Sequence, residues 1–321
     1  MKHRKLSLGD MMKVKELGAL LPLIILVIVA SAVNPAFLNS NNLFDILKTT
    51  SYTTILAVPL TMLMASGRMD MSIAATTALG GIITAMAETN GIPLSISILL
   101  GILVGAAVGT CNAILVDYFK LPGFIATLAV SNIVEGISSV NTNNNPIPGI
   151  SGAFKAIAQT RLAGQITITV IYALILAVIG FIVMNRMKIG RMLLAVGGNA
   201  EAANLAGINV KKIHTGLFIL VGSFASLSGI LYCSRFSSAQ LTAGAGTSLT
   251  IMSSVIIGGT AMRGGSGTIA GSVLGCMLFA VITNALVVMG ISTNWQNVVY
   301  GLILVIALLI DYFRQKSARR A

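Results

Sequence analysis

The sequence predicts an all-α polytopic membrane protein of about ten transmembrane helices, with spans 2–5 and 7–10 as a candidate inverted repeat. Three observations predict it. Hydrophobic residues make up 55% of the chain and charged residues 9%, and the mean hydropathy is +0.91, far from the usual soluble balance. Apolar runs close to the roughly 20 residues needed to cross a bilayer recur along the whole chain. Lys and Arg gather in the segments between alternate runs.

Residues 1–16 read as a basic tail, 17–311 as a single transmembrane domain and 312–321 as a second basic tail. The apolar runs fall near 17–33, 51–66, 71–88, 93–117, 121–140, 166–184, 213–232, 248–261, 268–289 and 294–311. The start, MKHRK followed by an apolar run to Ala30-Ser31-Ala32, imitates a cleavable signal peptide. Nine further runs favour an uncleaved anchor. The runs at 51–66 and 248–261 are short and rich in Ser, Thr and small residues, so they are expected to be enclosed by other helices.

With the amino terminus inside, the tails and the segments near 67–70, 118–120, 185–212 and 262–267 are cytoplasmic and hold 17 of the 21 Lys and Arg. Only Lys48, Lys155, Arg161 and Arg235 fall outside, which puts both termini in the cytoplasm. The longest external segment is 141–165, where Pro146-Ile147-Pro148-Gly149 forbids a continued span. Its second half suits a short surface helix, either a lid or platform for an external partner or a plain solvated connection.

The polar segment 185–212 is the chain's most informative stretch. Arg186, Lys188 and Arg191 open it, and Lys211 and Lys212 close it. Asn199 is placed to cap a short helix from Ala200 to about Ala206, and Gly207 to stop it. A short alanine-rich helix on a cytoplasmic loop suits docking, because small side chains let another protein approach closely.

Glycines recur every four residues at Gly101, Gly105 and Gly109 in span 4 and at Gly267, Gly271 and Gly275 in span 9. Each series makes a groove that admits a neighbouring backbone, a packing face first and a sliding face second. Each sits on the third helix of its set, and these two helices run in opposite directions, as an inverted repeat requires.

Several function classes are excluded. The net charge of +12 sits in loops and tails with no interleaved aromatic platform, so no nucleic-acid partner is expected. Cys111, Cys233 and Cys276 match no metal or redox spacing, and His3 and His214 are the only histidines, so no metal site is expected. No Gly-Lys dipeptide exists, so there is no phosphate-cradling loop; the glycine-rich 258–267 reads as a tight turn. No catalytic constellation emerges, and the chain is not expected to be an enzyme. Asp70, Glu88 and Asp117 lie at span ends. Glu135 lies inside a span, and an ion-coupled secondary transporter titrating Glu135 is the alternative reading.

The sequence resembles the membrane subunits of ATP-binding-cassette importers for ribose and related sugars. The resemblance runs from Asn34-Pro35-Ala36-Phe37 onward and is strongest from Gly190-Arg191 through Ala195-Val196-Gly197-Gly198-Asn199, Glu201-Ala202-Ala203 and Leu205-Ala206-Gly207-Ile208-Asn209-Val210. Supporting stretches are Phe124 to Leu128, Arg235 with Ser237-Ser238-Ala239-Gln240, and Val255 to Gly259 followed by Gly264-Gly265 and Gly267-Thr268. The chain departs from the family's pattern at Ser66-Gly67-Arg68-Met69-Asp70, which keeps the Asp but gains a charge, at Ser248-Leu249-Thr250, and at Glu135 in place of a frequent arginine. These departures fit an unusual ligand or the more divergent member of a two-permease pair.

The resemblance implies a permease domain in the bacterial cytoplasmic (inner) membrane, engaged with two cytoplasmic ATPase subunits or a fused tandem ATPase. It also implies an extracytoplasmic sugar-binding protein and a second permease subunit, as a homodimer or a heterodimer. ATP and Mg²⁺ then belong to the partner ATPase, and this chain binds no cofactor. The residues matching the coupling loop are Gly197, Gly198, Asn199, Glu201, Ala202, Ala203, Gly207 and Asn209. Candidates for the sugar path are Asp70, Phe124, Asn132, Asn284 and Trp295, because hydroxyls need hydrogen-bond partners and a sugar ring often lies against an apolar face. An interhelical hydrogen bond or an interfacial anchor is the simpler role for each.

Overall fold

The computed structural model describes residues 17–162 and 164–292, together with Trp295, Val298, Val299, Gly301, Leu302 and Val305. The tails 1–16 and 312–321 and most of the expected tenth span, 294–311, lie outside the described residues. The described chain is built from α1 (Leu17–Val33), α2 (Ser40–Ala65), α3 (Ile73–Thr89), α4 (Leu94–Ala113) and α5 (Gly123–Thr142). There follow α6 (Gly152–Gln159), a two-stranded hairpin of β1 (Arg161–Leu162) and β2 (Ile166–Thr167), and α7 (Ile168–Arg186). The last are α8 (Lys188–Gly198), α9 (Ala200–Leu205), α10 (Val210–Phe236), α11 (Thr247–Ile257) and α12 (Ile269–Val288).

Helix α10 packs against α3 and α4 on one side and α2 on another, while α2 also carries α7 and α12. The central core joins Leu60, Leu63 and Met64 of α2 to Phe218 and Val221 of α10 and Val255 of α11. The outside is apolar too: Leu99, Leu103, Ile125, Ile133, Leu174 and Ile179 are exposed. Helices apolar on both the packed and the open face belong in a bilayer. Five helical stretches among the described residues are long and apolar enough to cross one: Leu94–Tyr118, Gly123–Thr142, Ile168–Arg186, Val210–Phe236 and Ile269–Val288. α1, α3 and α11 are shorter apolar helices.

Where the structure differs from the expected elements, local composition explains it. α2 begins at Ser40, well before the expected start at 51, because the polar stretch 40–50 is helical, with Asn39 accepting from the amide of Asn41 at its start. α11 ends at Ile257, short of the expected 261, and Gly267 lies in the turn before α12 and not on it. The polar segment 185–212 holds a second helix, α8, hidden in the sequence by Gly190, Gly197 and Gly198. The expected surface helix of the 141–165 segment is present as α6, capped by Ser151 and seated on α10 through Phe154.

The glycine ladders form packing faces. A Cβ on Gly105 would meet the carbonyl of Gly222, and one on Gly109 the carbonyl of Phe218, so α4 and α10 touch backbone to backbone. On α12, Gly271 meets the carbonyl of Gly258 and Gly275 that of Ser254. Gly101 faces Thr84 and Gly80 of α3, and Gly267 stands against Thr260 and Ala65.

Candidate functional site

Helix α9 forms because Asn199, extended at its amino end, accepts from the amide of Ala202 at 2.9 Å. It stops because Gly207 adopts a φ of +84°, where a side chain would be strained. Ala203 is its one buried residue; Glu201 and Ala202 are exposed, and Leu205 is 89% exposed. The helix thus presents Glu201, Ala202 and the apolar Leu205 outward from a base of small residues. Asn209 has a local duty as well: its side chain accepts from the amide of Lys212 at 3.0 Å and caps α10.

The carboxyl end of α8, directly before α9, is wedged into the helical body. Gly197 packs against the carbonyl of Ala65 at the end of α2 and the amide of Gly265, so closely that a Cβ has no room. Gly265 donates its amide to Ala65 at 2.9 Å. Gly264 and Gly67, both with a φ of +86°, close the same junction. Three segments far apart in sequence therefore meet without intervening side chains: α8, the turn after α2 and the turn before α12. Gly198, one residue on, faces open space.

Beside this junction lies a polar cluster that sequence reasoning missed. Arg68 donates to Oδ1 of Asp117 through Nε at 3.0 Å and Nη2 at 2.7 Å. His214 places Nδ1 3.0 Å from the same oxygen and Nε2 3.2 Å from the carbonyl of Ser66. The imidazole thereby bridges the Asp117 carboxyl to the backbone of the turn after α2. The cluster ties the turn after α2 to the ends of α4 and α10. The added charge of Arg68 was visible in sequence, but its partners lie 49 and more residues away.

The five path candidates do not converge. Asp70 is buried and accepts from the amide and hydroxyl of Ser72, both at 2.7 Å, and from Asn112 at 3.1 Å. Burial pushes its carboxyl up from the usual carboxylate range, against the opposing hydrogen bonds from Ser72 and Asn112. Asn284 pairs with Asn42 at 2.9 and 2.7 Å, an amide clasp between α12 and α2. Phe124 and Asn132 are exposed on α5, and Trp295 is exposed beyond α12. Ser248, in the divergent Ser248-Leu249-Thr250, accepts from the amide of Ala74 and donates to the carbonyl of Met71, anchoring α11 to the start of α3.

These features define a membrane-embedded helical subunit in which a short, capped, exposed helix adjoins a close backbone junction with the core. The family described as the permease component of branched-chain amino acid transport systems matches residues 42–308, and the chain belongs to that family. It is 34% identical over 306 residues to the ribose import permease protein RbsC of Bacillus subtilis (strain 168), covering 95% of this chain and 94% of that protein. It is 32% identical over 304 residues to the ribose import permease protein RbsC of Escherichia coli (strain K12), covering 94% of each. The D-allose transport system permease protein AlsC of Escherichia coli (strain K12) is 33% identical over 296 residues, 92% of this chain and 90% of that protein. The chain is thus a multi-pass permease subunit of the bacterial inner membrane.

The ion-coupled alternative falls on these findings. The family is one of permease components of larger transport systems. Glu135 is exposed, with the hydroxyl of Ser131 at 3.4 Å as its one hydrogen-bonding partner among the described residues.

Proposed function

We infer that this chain is the membrane-spanning permease subunit of an ATP-driven importer for a sugar or sugar-like small polar solute. The observation that carries the coupling is the junction of Gly197 with Ala65 and Gly265 beneath the exposed, capped α9. A displacement of α9 by a partner has no soft side-chain layer to absorb it, so it passes to α2 and α12. The coupling surface comprises Gly198, Glu201 and Ala202, with Ala203 buried beneath it and Asn199, Gly207 and Asn209 fixing the local backbone. Sugar is favoured over amino acid because ribose and allose are the substrates named for relatives aligned over nearly their whole length.

In this reading residues 17–311 form one permease domain of ten spans, with 185–212 cytoplasmic, 141–165 external and both tails in the cytoplasm. Spans 2–5 and 7–10 form an inverted repeat, a reading supported by the two glycine faces that each take a neighbour's backbone. The chain is not an enzyme. ATP and Mg²⁺ act in two ATPase subunits or a fused tandem ATPase, and an extracytoplasmic binding protein delivers the sugar. One docking helix offers one ATPase contact, so a second permease, identical or not, completes the assembly.

The test is reconstitution with the ATPase and binding protein. ATP hydrolysis rising with sugar-loaded binding protein, together with ATP-dependent uptake, is the expected result. Uptake that ignores ATP would sink this function. Co-expression without a second permease gene decides the pairing: a fully active complex with two copies of this chain excludes the heterodimer.

A further inference from the structure

A recess of about 330 Å³ opens between α3, the outer half of α5 and the turn at Leu241–Gly244, on none of the path candidates above. Its polar lining is Glu135, Ser138, Ser139, Asn144 and Thr242. Glu135 stands twelve residues into α5, roughly 18 Å along the helix from Gly123. Gly244 lies so close to the carbonyl of Ala74 that a Cβ would collide with it, which makes the floor backbone and small side chains. Asn143 and Asn144, with φ of +49° and +59°, turn the chain after α5, and Asn144 joins the lining there.

The chemistry of this lining is specific. Glu135 has only the 3.4 Å contact from Ser131 to one oxygen, and no Lys, Arg or His is among the lining residues. A carboxylate offers about four acceptor positions, enough for two neighbouring hydroxyls. Ser138 gives its proton to the carbonyl of Val134 at 2.9 Å, so its oxygen is left as an acceptor. Among the described residues, the side chains of Ser139, Asn144 and Thr242 have no hydrogen-bond partner, so each is available to donate or accept. An anionic solute would be repelled by the uncompensated carboxylate. No group of three or more His, Cys, Asp or Glu able to hold a metal occurs among the described residues. A small pocket with a few convergent polar groups and no counter-charge suits a neutral polyhydroxylated molecule.

We propose that this recess is a sugar-hydroxyl subsite of the translocation path, and that Glu135 is its specificity-determining acceptor for a pair of neighbouring hydroxyls. The assignment rests on the proposed import function. A site of this kind discriminates through the cost of leaving its own polar groups unpaired, so it penalises a sugar that lacks one of the hydroxyls.

The experiment measures ATP-dependent uptake of radiolabelled D-ribose, D-allose and 2-deoxy-D-ribose by the reconstituted complex. The same ATPase and binding protein serve every variant, so their own selectivity cancels in the comparison. For Glu135→Ala we expect at least a tenfold loss of D-ribose uptake, and for Glu135→Gln a smaller loss, because the amide retains one acceptor. Thr242→Val, which keeps the volume, is expected to narrow the preference for D-ribose over 2-deoxy-D-ribose several-fold, and it reads the subsite even where a Glu135 variant fails to assemble. Unchanged rates and unchanged sugar preference in assembled Glu135→Ala and in Thr242→Val would overturn the subsite while leaving the import function standing. Uptake driven by a pH gradient and lost in Glu135→Gln would also overturn it. No ATP-dependent uptake of any of the three sugars by the unmodified complex would instead remove the sugar-import reading and the subsite with it.

Discussion

The amide of Gly265 donates to the carbonyl of Ala65 at 2.9 Å, and Gly197 is pressed against both groups. The contact joins the segment carrying α9 to the ends of α2 and the turn before α12 with no side chain between them. A junction of this kind is stiff, because nothing in it can change rotamer to absorb a push.

Gly197→Ala should therefore destabilise the protein by about 1–3 kcal/mol, the usual cost of forcing atoms into a full space. Gly198→Ala, whose added Cβ meets nothing, should be neutral to within about 0.5 kcal/mol. Thermal unfolding of the two variants in the same detergent checks the contrast; equal midpoints would show that the junction yields.

Gly105→Leu and Gly271→Leu should disrupt assembly, since each adds a large side chain where a neighbour's carbonyl already sits. Fully active, detergent-stable protein at both sites would mean that these helix faces separate freely.

Asp117→Ala should cost about 1–3 kcal/mol, because it leaves the buried His214 without its side-chain partner and frees Arg68. Arg68→Ala should cost clearly less, since Arg68 is partly exposed and His214 keeps its partner. Chemical or thermal melts rank the two, and the reverse order would remove the cluster from the fold's supports.

Asn199→Ala should weaken α9 by about 0.5–2 kcal/mol and give a partial transport defect. Normal transport would show that the proposed docking role of α9 does not depend on the cap.

What could be read in the sequence was local. The cap at Asn199 and the stop at Gly207 depend on neighbours a few residues away, and the structure shows both. The four-residue glycine spacing gave the packing faces of α4 and α12, but not that Gly222 and Ser254 fill them. α8 escaped notice because its glycines argue against a helix, and its residues are held by packing against α2 and α7. The cluster of Arg68, Asp117 and His214 and the recess around Glu135 join residues from separate helices, and no spacing rule reports such meetings. Asp70 and Asn284 were visible as polar residues in an apolar chain, yet the structure turns each onto another side chain.

The central claim, that α9 is where the ATPase engages, is tested most directly at Glu201, which is exposed on that helix and whose reversal to Glu201→Arg alters the surface without touching the core. The measurement is co-purification of the ATPase with the membrane-inserted variant, together with ATP hydrolysis stimulated by sugar-loaded binding protein. The account predicts normal insertion with at least a tenfold loss of both readouts. Full co-purification and full stimulation in Glu201→Arg would contradict it.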